Sequence, residues 1–287
     1  MRVLVTGASG LLGRAVLPEL TAAGHEVVGT DLPEVDVTLL DPVRRAVAAA
    51  RPDWVVHLAA MTQVDACESR RDDAFRINEL GSRNVAQAAA EGGAALLALS
   101  TDYVFDGRGT APYRETDPAG PVSVYGASKW AGEQAVREVL ERHVIVRSSW
   151  LFGPGGPNFI ETILGAARAG RPLRVVDDQR GSPTLAHDLA QGLRRLMDAG
   201  VFGTYHCTNH GDCTWYDLAA HVLEHAGLQV PLDRTDSASY ARPAPRPAYS
   251  VLDNARFEHV TGWRMPPWRD AVDRYLALTA GVPGRTS

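Results

Sequence analysis

Cysteine is scarce in this chain: Cys67, Cys207 and Cys213 are the whole complement among 287 residues. Three thiols make no even framework of bridges, which excludes a disulfide-stapled scaffold and agrees with a reducing compartment. Long apolar runs are missing as well. No stretch reaches the roughly 20 apolar residues that a membrane span needs. The start, Met1-Arg2-Val3-Leu4-Val5-Thr6-Gly7, reads as a strand entering a glycine loop rather than a charged head before an apolar signal core. A cytoplasmic protein with no membrane partner is expected. Basic blocks are the third absence. Lysine and arginine total 29 against 34 aspartates and glutamates, a net charge of −5, and no cluster of positive charge stands out, so a nucleic-acid surface is not expected.

What is present is apolar material at regular spacing. With 45% hydrophobic residues, the chain can bury one large core or two joined lobes. The apolar run at 3–5 is followed by Thr6-Gly7-Ala8-Ser9-Gly10-Leu11-Leu12-Gly13, then by Ala15, Val16, Leu17 and Leu20 at helical spacing. Strand, glycine turn and helix follow one another. Glycines at 7, 10 and 13 permit a tight turn and close approach of a pyrophosphate, whose charge is favoured by the free N–H groups at the helix start, around Leu11 and Leu12. This pattern between a strand and a helix points to a dinucleotide site. Pro18 falls inside the helical run, where its missing N–H predicts a kink. A second strand over 26–30 ends at Asp31, near the distance at which an acidic residue takes a ribose 2′-hydroxyl; a helix or turn cap is the equal alternative. An Asp31 facing that ribose disfavours the 2′-phosphate of NADP. Asp36 and Val37, just beyond, are placed with the cofactor.

Asp41-Pro42 reads as a cap with proline at the first helical position, opening a helix through Val43, Ala46, Val47 and Ala50. A third strand over 54–58 ends at Ala59-Ala60, small residues that let a cofactor pass closely. A long helix over 73–90 carries Asn78, and a fourth strand over 94–99 ends at Ser100-Thr101-Asp102-Tyr103. A Pro- and Gly-rich loop over 106–122 leads to a helix carrying Tyr125 and Lys129, and a fifth strand covers 143–147. This alternation predicts an α/β fold: a Rossmann-type doubly wound parallel sheet over 1–150, with ligands at the carboxyl ends of its strands. The less regular remainder, 151–287, predicts a smaller mixed α/β substrate-binding lobe, with a strand near 204–208 returning to the sheet. The proline-dense 242–247 is neither regular helix nor central strand.

Tyr125 and Lys129 lie four positions apart, so on a helix they share a face. A free tyrosine has a pKa of about 10, and a neighbouring ammonium lowers it by favouring the phenolate. The pair can act as a tuned acid or base, although an ordinary surface pair has the same spacing. His206, Cys207, His210 and Cys213 form the other conspicuous group. Their spacing fits no zinc finger, and the first two point to opposite faces of a predicted strand, so no metal is expected. Trp54 and Trp263 read as packing residues.

Thr6-Gly7-x-x-Gly10-x-x-Gly13, Ser100-Thr101-Asp102 and Tyr125-x-x-x-Lys129 together resemble the extended short-chain dehydrogenase/reductases. Within them the chain is most similar to the dTDP-4-dehydrorhamnose reductases, through STDYVF at 100–105, VYGASKWAGE at 124–133, RSSW at 147–150, Pro157-Asn158-Phe159, DQRGSPT at 178–184 and Arg246-Pro247. The resemblance implies reduction of the C4 ketone of a dTDP-4-keto-6-deoxyhexose by NADPH or NADH. It implies that Tyr125 protonates the C4 oxygen, Lys129 lowers the Tyr125 pKa and holds the nicotinamide ribose, and Thr101 hydrogen-bonds the same oxygen. It places Asn78 near the cofactor phosphates, with an ordinary exposed helical asparagine as the equal alternative, and Thr62, Asp102, Trp150, Asn158, Phe159 and Arg246 with the sugar nucleotide. Similar dehydratases carry an Asp-Glu pair after the threonine, where this chain has Asp102-Tyr103, which favours reduction over elimination. Epimerases share the Thr/Tyr/Lys set, and the beta subunit of methionine adenosyltransferase shares the motifs as a regulatory partner, so both stay open. Some reductases bridge a dimer through a metal held by glutamates. The aligned positions here are Ala15 and His187, so neither that metal nor that dimer is expected, and the chain is read as a monomer or homodimer. Met61, in place of the more usual aromatic or histidine before Thr62, points to a shifted sugar preference.

Overall fold

The computed structural model describes residues 1–240 and 242–280; the end of the expected second lobe, 281–287, lies outside the described residues. The first half alternates β1 (Arg2–Thr6), α1 (Gly13–Ala22), β2 (Glu26–Thr30), α2 (Leu40–Ala50), β3 (Trp54–His57), α3 (Val64–Ser69), α4 (Arg71–Phe75), α5 (Gly81–Glu91), β4 (Ala95–Thr101), α6 (Val124–Val139) and β5 (His143–Ser148). The second half contains β6 (Leu151–Phe152), α7 (Phe159–Arg168), β7 (Leu173–Val176), β8 (Arg180–Gly181), β9 (Thr184–Leu185), α8 (Ala186–Ala199), β10 (Gly203–His206), β11 (Cys213–Thr214), α9 (Trp215–His225), β12 (Leu232–Thr235), α10 (Ala255–Thr261) and α11 (Trp268–Ala280).

The central sheet has six strands in the order β10-β5-β4-β3-β1-β2, and every pairing in it is parallel. Parallel strands need covered faces, and their apolar runs provide them. Successive residues alternate sides: Val3, Val5, Val56, Leu97, Val144 and Val146 join the core under α1 and α8, while Leu4, Val55, Leu96 and Ile145 join the core under α2, α5 and α6. Burying each such side chain contributes about 1.5–3 kcal/mol. A separate core gathers α7, β7, α9 and α11 through Ile160, Ile163, Val175, Val222 and Val272. The chain leaves β1 for β2 on one side and β3 on the other, which opens a crevice at the carboxyl ends of these strands.

Several local expectations are revised. Helix α2 starts at Leu40 with Leu39 at the cap position and no side-chain cap. Asp41 is therefore inside the first turn, where its charge still suits the helix dipole. The helix expected over 73–90 is α4, a π turn at Arg76–Leu80, and α5. That extra residue per turn brings Asn78 inward, as described below. Helix α1 continues through Pro18 to Ala22. The short parallel pair β7 and β12 has too few residues for its period to be legible, and β8 lies in a segment read as loop.

Candidate active site

The glycine loop is built by exclusion. Gly7 has φ of +72°, and a Cβ there would stand 2.6 Å from the Ala59 backbone N at the end of β3. A Cβ on Gly13 would stand 2.4 Å from the Gly7 carbonyl oxygen. The loop therefore folds flat against the sheet edge only with glycine at both positions. No side chain caps the start of α1 at Leu12; the Arg14 N–H donates back to the Gly10 carbonyl at 3.0 Å, which leaves an anion the N–H groups ahead of it. At the end of β2, Asp31 accepts from Ser9 N–H (3.0 Å), Ser9 Oγ (2.5 Å) and Leu32 N–H (2.9 Å). Burial works to raise its pKa, but these hydrogen bonds outweigh it and hold the carboxyl below the usual range. Asp31 is thus both a brace for the loop and a carboxylate at the crevice. Asp36 accepts from Thr38 N–H and Oγ1 (2.9 and 2.8 Å), and Asn84 Nδ2 holds the Val37 carbonyl (2.9 Å).

These residues open onto one cavity of about 730 Å³. Gly7, Gly10, Leu11, Leu12 and Gly13 line one end with Asp31, Asp36, Val37, Ala59 and Ala60. Thr62, Thr101, Asp102, Tyr125 and Trp150 line the other. An uncapped helix start, a loop with no room for Cβ atoms and a carboxylate at the next strand end fit the pyrophosphate and ribose of a dinucleotide.

Helix α6 is fixed by its cap and by a close approach. Ser123 Oγ accepts from Gly126 N–H (3.2 Å), and a Cβ on Gly126 would stand 2.1 Å from the Tyr103 carbonyl oxygen. Tyr125 is thereby pressed edge-on to Tyr103, ring centroids 5.5 Å apart at 73°. Burial raises the Tyr125 pKa, its hydrogen bond with Thr101 acts in the opposite sense, and the Asp102 charge raises it further. The phenol is protonated at neutral pH. Burial dominates over the lowering expected from Lys129, whose Nζ donates to the Leu99 carbonyl at 2.7 Å behind the cavity wall. Burial lowers the Lys129 pKa to about 8 against the opposing pull of Glu133. Glu133, one turn further, accepts from Arg147 (2.9 and 2.8 Å), Arg137 (2.7 Å) and Ser100 Oγ (2.6 Å). Burial alone would raise its pKa, and the arginines with Ser100 reverse that. Thr101 Oγ1 donates to Asp102 Oδ1 at 3.0 Å. Asp102 is fully buried, and burial pushes its pKa to about 7 against hydrogen bonds from Ser250 and Thr101.

Besides Lys129, four expected contacts do not line the cavity. Asn78 is buried, with Oδ1 accepting from Met61 N–H (2.8 Å) and Nδ2 donating to Met61 O (3.1 Å) and Ser128 Oγ (2.9 Å). It ties the loop after β3 to α6. Asn158 caps α7 through Glu161 N–H (3.1 Å) and donates to Gly153 O, Gly156 O and the Tyr275 hydroxyl. Phe159 packs on Trp215 at 4.6 Å. Arg246 is paired with Asp65 at 2.9 Å.

Sequence reasoning missed Trp215, which lines the cavity and stacks on Trp150 at 3.6 Å and 7°. Trp150 itself has φ of +45°, a costly region for a bulky residue. Thr214, with a reciprocal Asp217 bond, caps α9 and presents Trp215 at its first position; that capping signal was available. A second missed signal is that Lys129 is the only lysine in the chain. In the four-residue histidine and cysteine group, His206 Nδ1 meets Tyr113 O at 3.0 Å and Cys207 packs beside Met265. Trp54 and Trp263 pack on Phe202 and Phe257. Among the described residues no helix is long and apolar enough to cross a membrane.

Comparison with known proteins agrees with this geometry. Residues 1–280 match the model of the RmlD substrate binding domain. A dTDP-4-dehydrorhamnose reductase of Streptomyces griseus is 45% identical over 99% of this chain and 96% of its own length. A probable dTDP-4,6-dihydroxy-2-methyloxan-3-one 4-ketoreductase of Streptomyces antibioticus is 39% identical over 95% of this chain and 93% of its own. The crystal structure of dTDP-4-dehydrorhamnose reductase from Bacillus anthracis in complex with NADP superposes with a TM-score of 0.93 at 37% identity, covering 96% of this chain and 99% of that one.

Proposed function

The chain belongs to the RmlD substrate binding domain family, and from that membership we propose that it reduces the C4 ketone of a dTDP-4-keto-6-deoxyhexose, dTDP-4-dehydrorhamnose to dTDP-L-rhamnose, with NADPH or NADH. The observation that carries the reading is the juxtaposition of Thr101 and Tyr125 in the same cavity as the glycine loop and Asp31. When bound along that loop, a reduced nicotinamide supplies the hydride that reaches sugar C4. Thr101, turning its hydroxyl from Asp102 to the C4 oxygen, donates a hydrogen bond there and shares its growing charge. Tyr125, held protonated by burial, gives that oxygen its proton. Lys129, fixed on the Leu99 carbonyl, places a positive charge behind the phenolate that remains. Gly7, Gly10, Leu11, Leu12 and Gly13 hold the pyrophosphate, and Asp31, Asp36, Val37, Ala59 and Ala60 flank the adenosine half. Asp31 favours NADH, whereas the Bacillus anthracis relative holds NADP, so both cofactors belong to the proposal.

Tyr103 supports reduction over elimination. Its phenol is pushed up by burial and by the Asp102 charge, so it offers no base at neutral pH to remove a proton beside the ketone. On the substrate side, Thr62, Asp102 and Trp150 face the sugar, and Asn158, Phe159 and Arg246 act one layer back by fixing α7, Trp215 and Asp65. The Streptomyces antibioticus relative favours a second reading in which another dTDP-4-keto sugar is the substrate. A cytoplasmic location and a monomer or homodimer complete the proposal. Incubating the protein with dTDP-4-dehydrorhamnose and reduced cofactor tests it: stoichiometric oxidation of the cofactor is expected, and tight dinucleotide binding without turnover on any such sugar would favour a regulatory subunit. An epimerase would retain bound NAD through purification and consume no free cofactor.

A further inference from the structure

His221 and His225 lie four residues apart on α9, so their rings share one face of that helix. The face looks onto α11. His221 Nε2 stands 2.8 Å from Asp273 Oδ1, and His225 Nε2 stands 3.3 Å from the same oxygen. One donor atom from each of the three residues falls within 4.8 Å of the others, a separation that an ion with bonds of about 2.0–2.2 Å can span from a common centre. Trp268 meets the His221 ring edge-on, 5.2 Å between centroids, which fixes its direction. The side chains of His225 and Asp273 are 44% and 38% exposed, so an ion has access.

The helices beneath are rigid, because α9 and α11 share one apolar core through Leu218, Val222, Ala271 and Val272. Among the described residues no arginine pairs with Asp273. Arg274, the next charged residue along α11, is turned to Asp188 at 2.9 and 2.7 Å and to Asp270 at 3.0 Å. Two imidazole nitrogens and one carboxylate oxygen suit zinc-like divalent ions and not magnesium or calcium, which prefer all-oxygen sets. None of the three residues lines the 730 Å³ cavity.

We propose that His221, His225 and Asp273 bind one divalent transition-metal ion of the zinc class, which clips α11 onto α9 away from the catalytic cavity. The ion replaces the imidazole N–H bonds to Asp273, and water fills the positions the three ligands leave open. The test is calorimetric titration of the EDTA-stripped full chain with Zn²⁺, alongside His225→Ala and Asp273→Asn, both at solvent-open positions. One Zn²⁺ per chain is expected, with affinity weakened about tenfold or more in each variant. The melting temperature should rise with Zn²⁺ in the parent and not in the variants. No saturable binding, affinity equal to the parent's in both variants, or Mg²⁺ binding as tightly as Zn²⁺ would each overturn the proposal. If either variant is unfolded, the other decides alone.

Discussion

Tyr125 and Lys129 share a face of α6 but are in different surroundings, and their division of labour follows from that. Tyr125 opens onto the cavity with its proton retained by burial, so Tyr125→Phe removes a donor without emptying space. The expected result is a fall in kcat of about 10²–10⁴-fold with unchanged dinucleotide binding, read by steady-state kinetics and a binding titration; normal turnover would remove Tyr125 from the acid role. Lys129 gives a pH dependence. Burial lowers its pKa from 10.5 to about 8, so the ammonium is present below that value and is lost as pH rises through it. The kcat/KM for ketone reduction should therefore decline above pH about 8, and a profile flat to pH 10 would contradict the assignment. The Tyr-x-x-x-Lys spacing was legible in the sequence. The local charge balance was not, because the Leu99 carbonyl that holds Lys129 and the arginines that hold Glu133 arrive from β4, β5 and the next turns of α6. A sole lysine among so many arginines was a readable hint, since only a compact ammonium shifts its pKa readily on burial.

The glycine loop is the element on which cofactor binding depends. Gly13→Ala places a methyl carbon 2.4 Å from the Gly7 oxygen and 2.5 Å from the Ala8 oxygen, and backbone on both sides cannot yield cheaply. Dinucleotide affinity should fall about tenfold or more, with stability reduced by about 1–3 kcal/mol; fluorescence titration and urea melts measure the two, and an unchanged variant would refute the packing argument. Strand-glycine-helix order made this element legible at once. Asn78 shows where element-level reading stops. Its place on a helical run was clear, but the π turn that directs it to Met61 and Ser128 has no periodic signature in sequence. Asn158 and Arg246 were likewise visible as motif residues, yet their partners, Glu161 N–H and Asp65, assign them to a cap and an ion pair in this state. Trp215 was overlooked because an aromatic at the first position of a helix reads as core until Trp150 is seen stacked on it.

Across the whole molecule, buried titratable groups set the acid response. His57, bonded to Thr6 and Ser82, and His206 are both held neutral, with pKa lowered from 6.5 to about 3 chiefly by burial. The unfolded chain binds protons at these sites below pH 6.5 that the folded chain refuses, so stability falls as pH drops from there toward 3. Glu133, lowered by its arginines, acts in the same sense below its usual range. Asp102, raised to about 7, acts oppositely: its contribution is present at low pH and is lost as pH rises from 3.8 through 7. Between pH 7 and pH 4.5 the two histidines outweigh the one aspartate, Glu133 adding its share only below that window, so the melting temperature should fall by several degrees, about 2–4 °C for each ~1 kcal/mol in domains of comparable size. Thermal circular dichroism reads this, and a constant or rising value would contradict it.

The parallel sheet and its carboxyl-edge crevice were legible from apolar runs alternating with helical spacing, because both faces of each strand are buried and leave continuous hydrophobic stretches. The later half was less so, since its strands are two to four residues long and pair across large sequence distances. The most direct measurement of the central claim is a product analysis by NMR after incubating the protein with dTDP-4-dehydrorhamnose and NADPH or NADH. The proposal predicts one cofactor oxidised per dTDP-L-rhamnose formed; recovery of the ketone unreduced, or conversion without cofactor oxidation, would contradict it.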